Sequence, residues 1–249
     1  MPKTKLTEVR SPPTRCEDCP VRRKALFQVV ADDYLSEAES RRAGQYLLPA
    51  RSHLYQEGAP ASMAYTLFGG WLLLYRTHSD GSRQGLRIAL PGDFVGYAAL
   101  NSAYSHGAMA VTDAVVCGFD QADLHLMINK HRDIARQINN IQAHYLATCE
   151  SNVLGLGRKS AEQRIAHAVA DLYHRLGRRH EVDEQTCSMP FPLTQEMLGE
   201  LSGLTPVHTN RVLRKLRADG VMICERQRIE ILDLGRLMEI GDYRPDPLA

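Results

Sequence analysis

The chain has 249 residues, 44% hydrophobic and 24% charged, a composition ordinary for a soluble globular protein of one or two domains. Its 30 basic and 29 acidic residues leave a net charge of +1, which excludes binding to nucleic acid or membrane by overall charge and leaves that task to a local patch. No run of about 18 apolar residues occurs, and the N-terminus MPKTKLTEVRSPPTR lacks the apolar core of a secretory signal, so the expectation is a cytoplasmic protein with no membrane partner.

Residues 1–15 are polar and carry prolines without any hydrophobic period, which predicts a loose arm; with Cys16 and Cys19 it forms an N-terminal segment over residues 1–20. Six cysteines are too few for a disulfide scaffold in a chain of this size. In a reducing compartment they are expected to be thiols, metal ligands or redox groups. Leu35 to Ala43 is charged and helix-compatible, and a β domain is expected to begin near Gln45. Its signals are the apolar run Trp71–Tyr75, the turn Ser79-Asp80-Gly81, the run Leu86–Leu90, the turn Pro91-Gly92-Asp93 and a further run from Val111 to Phe119. Short runs at such spacing predict a small barrel or roll, placed at residues 21–125.

Beyond Asp120 the turn residues stop, and Ile134, Ile138, Ile141, Tyr145, Cys149, Val153 and Leu156 recur at steps of three and four. That is one apolar stripe on a long helix, assigned to residues 126–157. The stripe either packs within its own domain or meets its copy in a second chain; the helix length favours a homodimer seam. Gly155 and Gly157 mark an expected hinge, and Ser160-x-x-Gln163 has the form of a capping box opening a second domain over residues 158–249. The whole is an α+β chain.

Within that second domain, PLTQEMLGELSGLTPVHTNRVLRKL reads as two short helices. Thr194 caps the first, with Met197, Leu198 and Leu201 on its buried side; Gly203 permits a left-handed turn, and Thr205 caps the second. This is a helix-turn-helix. The second helix buries Val212, Leu213 and Leu216 and leaves His208, Asn210, Arg211, Arg214 and Lys215 on its other faces. Arginine matches guanine O6 and N7, asparagine matches adenine N6 and N7, and further basic residues neutralise phosphates. VMICERQRIEILD then reads as a two-stranded wing. Thr194, Gln195, Thr205, His208, Asn210, Arg211, Arg214 and Lys215 are the expected DNA-binding residues, with double-stranded DNA as the partner.

At this point the chain resembles the Crp/Fnr superfamily of bacterial transcription regulators, through PGDFVGYAAL, SAEQRIAHAVADL and LTQEMLGELSGLTPVHTNRVLRKLRADGVM over roughly residues 16–235. The resemblance implies a cyclic-nucleotide-binding-like β-roll, a homodimer on a roughly palindromic operator with half-sites about 34 Å apart, and RNA polymerase as a further partner. Arg211 matches the shared reading arginine. Val207 stands where the family commonly has Glu, and Asn210 where it has Ser or Gly, which implies a different operator.

The resemblance also bears on the signal. Tyr97 and Tyr104 stand about where cyclic-nucleotide-binding members carry the ribose glutamate and the phosphate arginine, and only Ser105 of that phosphate group remains. A buried phosphate without a cation is costly, so cyclic AMP is not the expected ligand. Oxygen-sensing relatives hold an iron-sulfur cluster on four cysteines; Cys16, Cys19 and Cys117 resemble three of them, and Ala25 stands near the fourth place. Metal binding, a reversible disulfide and a remnant that packs the arm are the alternatives for these cysteines. Haem is a further option, through His53, His78, His106 or His125. No G-x-S-x-G, P-loop, H-E-x-x-H or dinucleotide-binding glycine pattern is present, and the chain is not expected to be an enzyme. The leading expectation is a dimeric regulator switched by an unidentified effector or redox signal; an oxygen or redox sensor and an architectural DNA-binding dimer without effector are the alternatives.

Overall fold

The computed structural model describes residues 6–9, 14–26, 32–183 and 185–245, so residues 1–5 and 10–13 of the expected arm lie outside the described residues. The chain divides into two compact units, Met1–Tyr145 and Leu146–Ala249.

The first unit contains β1 (Thr7–Glu8), α1 (Asp32–Ser40), β2 (Arg42–Leu48), β3 (His53–Tyr55), β4 (Met63–Gly69), β5 (Leu72–Thr77), β6 (Arg83–Ala89), β7 (Phe94–Val95), β8 (Gly107–Ala110), β9 (Ala114–Asp120) and α2 (Gln121–Lys130). Two antiparallel sheets form, in the orders β1-β2-β9-β4-β7 and β3-β8-β5-β6. Apolar residues of both sheets, among them Leu48, Leu67, Leu72, Leu74, Ala110 and Val116, join in one buried cluster, as two half-buried faces must. The main run of strands starts at Arg42, not near Gln45, and within the expected loose arm Thr7 and Glu8 pair with Leu47 and Tyr46 as an edge strand. A register shift between Arg42 and Gly44 interrupts the alternation that would have marked the strand's start.

The expected helix over residues 126–157 is two helices. Asp120 caps α2 by accepting from the Ala122 amide, α2 ends against His131 in extended conformation, and α3 runs Arg132–Arg158. α3 continues through Gly155 and Gly157, so the expected hinge is not at those residues; the helical run stops after Arg158.

The burial of α3 changes the reading of its stripe. Ile134 and Ile138, the latter 4% exposed, lie in a cluster with Leu26, Leu35, Phe94, Phe119 and Leu124, and Ile141 packs against it. Tyr145 donates from its hydroxyl to the Phe94 carbonyl at 2.9 Å, and the Arg87 guanidinium lies 3.6 Å from its ring centroid. These four positions, expected at a dimer seam, are therefore engaged inside the chain's own first unit, because the apolar stripe drifts around the helix. Further along, Leu146 and Val153 are 61% and 71% exposed, and Leu154, Leu156 and Cys149 are exposed as well. Leu146, Cys149, Val153 and Leu156 follow one another at steps of three, four and three, the spacing of a heptad seam.

The second unit contains α4 (Ala161–Gly177), β10 (Ser188–Pro190), α5 (Gln195–Ser202), α6 (Pro206–Ala218), β11 (Met222–Glu225), β12 (Arg228–Ile231) and α7 (Leu234–Gly241). The expected capping box is present at the start of α4: Ser160 Oγ accepts from Gln163 N at 3.3 Å and Gln163 Oε1 accepts from Ser160 N at 2.8 Å. Ile165, Val169, Leu172 and Leu176 of α4 are buried with Leu198, Leu216, Ile229 and Leu237 from the elements that follow. The wing has three strands, in the order β10-β12-β11. Its hairpin turns through Arg226 and Gln227, both at positive φ, the conformation a two-residue connection needs. No helix among the described residues is long and apolar enough to cross a membrane.

Candidate nucleic-acid interface

Thr194 caps α5, its Oγ1 accepting from Met197 N at 3.1 Å, and Thr205 caps α6, accepting from His208 N at 3.3 Å. Pro206 occupies the first turn of α6, where its missing N–H costs nothing. Gly203, at φ 61 and ψ 43, supplies the left-handed turn read from the sequence. Gly199 was not anticipated. A Cβ there would lie 2.6 Å from the Leu204 carbonyl oxygen and 3.1 Å from Thr209 Oγ1, so the bare backbone of α5 is what lets the turn and α6 close upon it. Thr209, wholly buried, donates back to the Thr205 carbonyl at 3.0 Å. Val212 and Leu216 complete the inner face of α6.

The outer face carries His208, Arg211, Arg214, Lys215 and Arg217, all exposed, with no acidic residue in the helix's first turn. Together with the positive end of the helix dipole, this forms a basic surface beginning at a capped N-terminus. The cations are not equivalent. Lys215 is bound to Glu162 at 2.5 Å and to Asp219 at 3.3 Å, and the Glu162 hydrogen bond raises its pKa. Arg217 is paired with Glu225. Among the described residues neither Arg211 nor Arg214 faces a carboxylate. The expectation that Lys215 is a free phosphate contact is therefore altered by a pairing with a residue 53 positions away. Asn210 donates from Nδ2 to Gln195 Oε1 at 3.0 Å, joining the start of α5 to α6. Val207, singled out from the sequence only as a departure from the family's usual Glu, is an apolar residue 73% exposed on this polar face and so a further candidate for the site.

In the first unit, Tyr104 stacks on Tyr55 with ring centroids 4.2 Å apart, and its hydroxyl donates to the Met63 carbonyl at 2.7 Å. Tyr55, Tyr65 and Tyr104 are all buried in the roll's core cluster. Arg87 is held by Asp93 at 3.1 Å and stacks on Tyr145. Tyr97 packs on His125, with ring centroids 5.5 Å apart. At the position the resemblance gives to the phosphate arginine stands a tyrosine ring stacked in the roll's core, which supplies no cation for a cyclic phosphate. The four histidines offered for haem make separate contacts: His53 with Tyr75, His78 with Asp80, His106 with Tyr55 and His125 with the Ala98 carbonyl. Nothing brings them together.

Cys16, Cys19 and Cys117 do converge, lining one small pocket with Ala25, Arg42, Thr66 and Phe119. Burial pushes the Cys16 thiol up to about 11 and raises Cys117, so both rest as protonated, weakly nucleophilic thiols. Ala25, which the resemblance puts near the fourth ligand's position, is buried, and among the described residues no group of three or more His, Cys, Asp or Glu side chains is placed to hold a metal ion. With three thiols and no fourth, the set falls short of a four-thiolate cluster.

Two family models match the chain, the cyclic nucleotide-binding domain over residues 47–131 and the Crp-like helix-turn-helix domain over residues 163–240. The chain is 29% identical over 220 residues to the transcriptional activatory protein AadR of Rhodopseudomonas palustris, covering 88% of this chain and 90% of that protein. It is 28% identical over 234 residues to the transcriptional activator protein FnrL of Cereibacter sphaeroides, covering 90% and 91%. The structure of FixK2 from Bradyrhizobium japonicum shares the fold, with a TM-score of 0.70 at 24% identity over 81% of this chain and 98% of that one. These named relatives are transcription regulators and not enzymes. With a cyclic-nucleotide-binding-type roll and a Crp-like helix-turn-helix following one another in a single chain, the protein belongs to the Crp/Fnr family of DNA-binding transcription regulators.

Proposed function

We propose that this chain acts in the cytoplasm as a homodimer that reads a roughly palindromic operator, with α6 in the major groove and RNA polymerase as its further partner. The observation that carries the reading is α6 itself: a capped helix whose inner face is locked to α5 and whose outer face presents Arg211 and Arg214 with no acidic residue of its own. His208, Asn210 and Arg211 lie within its first turns, where base edges come within reach, and exposed Val207 suits a thymine methyl group. Thr194, Gln195 and Thr205 stand at helix starts, whose free amides suit phosphate oxygens. Arg214 neutralises phosphate, while Lys215 must first leave Glu162.

Dimerisation uses the exposed end of α3, through Leu146, Cys149, Val153 and Leu156, instead of Ile134, Ile138, Ile141 and Tyr145. The signal enters at the first unit. Asp93 holds Arg87, Arg87 stacks on Tyr145, and an effector favouring one arrangement of that contact would bias α3.

Binding isotherms at several salt concentrations, on a duplex selected from a random library and on random duplex, test the DNA-reading role. Arg211→Ala is expected to cost about 1–3 kcal/mol on the selected duplex and to relax discrimination at one base pair per half-site. Arg214→Ala is expected to weaken both duplexes alike and lower the salt slope by about 1 per contact, with Lys215→Ala weaker in effect. Equal loss on every sequence for Arg211→Ala would remove the reading role.

A further inference from the structure

Gln195 stands at the first position of α5, directly after the Thr194 cap, and its Oε1 accepts from Asn210 Nδ2 on α6 at 3.0 Å. The bond itself is exposed to solvent, but the backbone at each end is fixed. The Thr194 cap fixes the start of α5, the Thr205 cap fixes the start of α6, and the Gly199 approach sets the separation between the helices. A side-chain carboxamide offers one oxygen and two N–H groups, and a free one turns over readily, exchanging donor for acceptor at its outer edge. With one N–H spent on Gln195, Asn210 keeps Oδ1 and its second N–H side by side. That edge matches adenine, whose N6 donates and whose N7 accepts. The reversed amide would present both N–H groups outward, and these match the two acceptors of guanine.

We infer that Gln195 is a positioning residue for sequence reading: it holds the Asn210 amide in the orientation that selects adenine. The inference rests on the proposed function, since it needs α6 in a major groove. The orientation is set before DNA arrives, so binding does not have to freeze it, which is the advantage of a pre-organised contact. Gln195 keeps its own amide N–H groups for a phosphate oxygen.

The test uses the full-length protein, a preferred duplex selected from a random library by the wild type, and all single-base variants of that duplex. Asn210→Ala is expected to lose roughly ten- to hundredfold discrimination at one A·T pair per half-site. Gln195→Ala should lose most of the discrimination at that same pair and little elsewhere, and adding it to Asn210→Ala should change nothing further. Gln195→Glu retains an acceptor for Asn210 and should keep the discrimination while weakening every duplex alike by repulsion of phosphate. Melting temperatures of all variants should match the wild type, which excludes a merely structural effect.

Losses that add, that fall on different base pairs, or that leave discrimination intact while affinity drops uniformly would each overturn the positioning role. So would a guanine preference at the pair that Asn210→Ala affects. If Arg211→Ala relaxes discrimination and the two amide variants do not, this inference fails and the proposed function stands. If the wild type selects no preferred duplex, both fail.

Discussion

Replacing Leu146 and Val153 together by Asp tests which part of α3 meets a second copy. In the single chain these side chains are 61% and 71% exposed, so in a monomer the change should cost no more than about 0.5 kcal/mol per site. In a dimer they become covered. Burying a whole leucine or valine side chain contributes about 1.5–3 kcal/mol, and roughly two thirds of that area is still open, so four side chains across two copies amount to about 4–8 kcal/mol. Association converts buried area incompletely, so the lower end is the safer figure: dimer dissociation should rise by about three powers of ten. Four carboxylates in the seam push it further. Sedimentation velocity across a concentration series, with melting followed on the same samples, reads both quantities. The expected result is a folded monomer with weakened operator binding. Ile138→Asp is the contrasting variant, since a carboxylate at that buried position should cost about 3 kcal/mol or more and lower the melting temperature of the first unit. A Leu146/Val153 variant that sediments as a dimer, or an Ile138→Asp variant that becomes monomeric without losing stability, would refute the reassigned seam.

Gly199→Ala should destabilise the second unit by about 1–3 kcal/mol, because its Cβ would stand 2.6 Å from backbone oxygen that cannot give way without opening the turn; calorimetry should show a fall of several degrees together with loss of operator binding. His106, held down to about 4 chiefly by burial and next by Arg87, should stay neutral in the folded first unit through the range in which the unfolded chain takes up a proton. Stability linked to it is complete above pH 6.5 and is lost as pH falls toward 4, by about 1–2 kcal/mol at pH 5, and His106→Gln should flatten that slope in urea titrations.

The helix-turn-helix was legible in the sequence because its signals are local: Thr194, Gly203, Thr205 and the Ser160–Gln163 pair each act on backbone groups within a few residues. The regular spacing of turns and apolar runs likewise announced the roll. What stayed hidden depends on contacts between distant residues. A stripe of Ile134, Ile138 and Ile141 states that one helix face is covered but not by what, and the cover turned out to be Phe94, Phe119 and Leu35. Lys215 reads as a free cation until Glu162 is brought beside it. β10 is three residues ending in proline, too short and too poor in β-branched residues to announce itself. The meeting of Cys16 and Cys19 with Cys117 required the register of β2 on β9, which no spacing in the chain encodes.

The unbroken passage of α3 through Gly155 and Gly157 gives that helix a gradient of stiffness. A Cβ at Gly157 would touch nothing within 4 Å, and one at Gly155 would meet only the Lys159 side chain, so neither glycine serves close packing within the single chain. Each instead weakens the helix by about 0.8–1.0 kcal/mol relative to alanine, and both fall in the last turn, where fraying is already cheapest. α3 therefore behaves as a rod anchored rigidly at Ile134 and Ile138 and torsionally soft at its far end. Amide hydrogen exchange should accelerate along it from Ile141 toward Arg158.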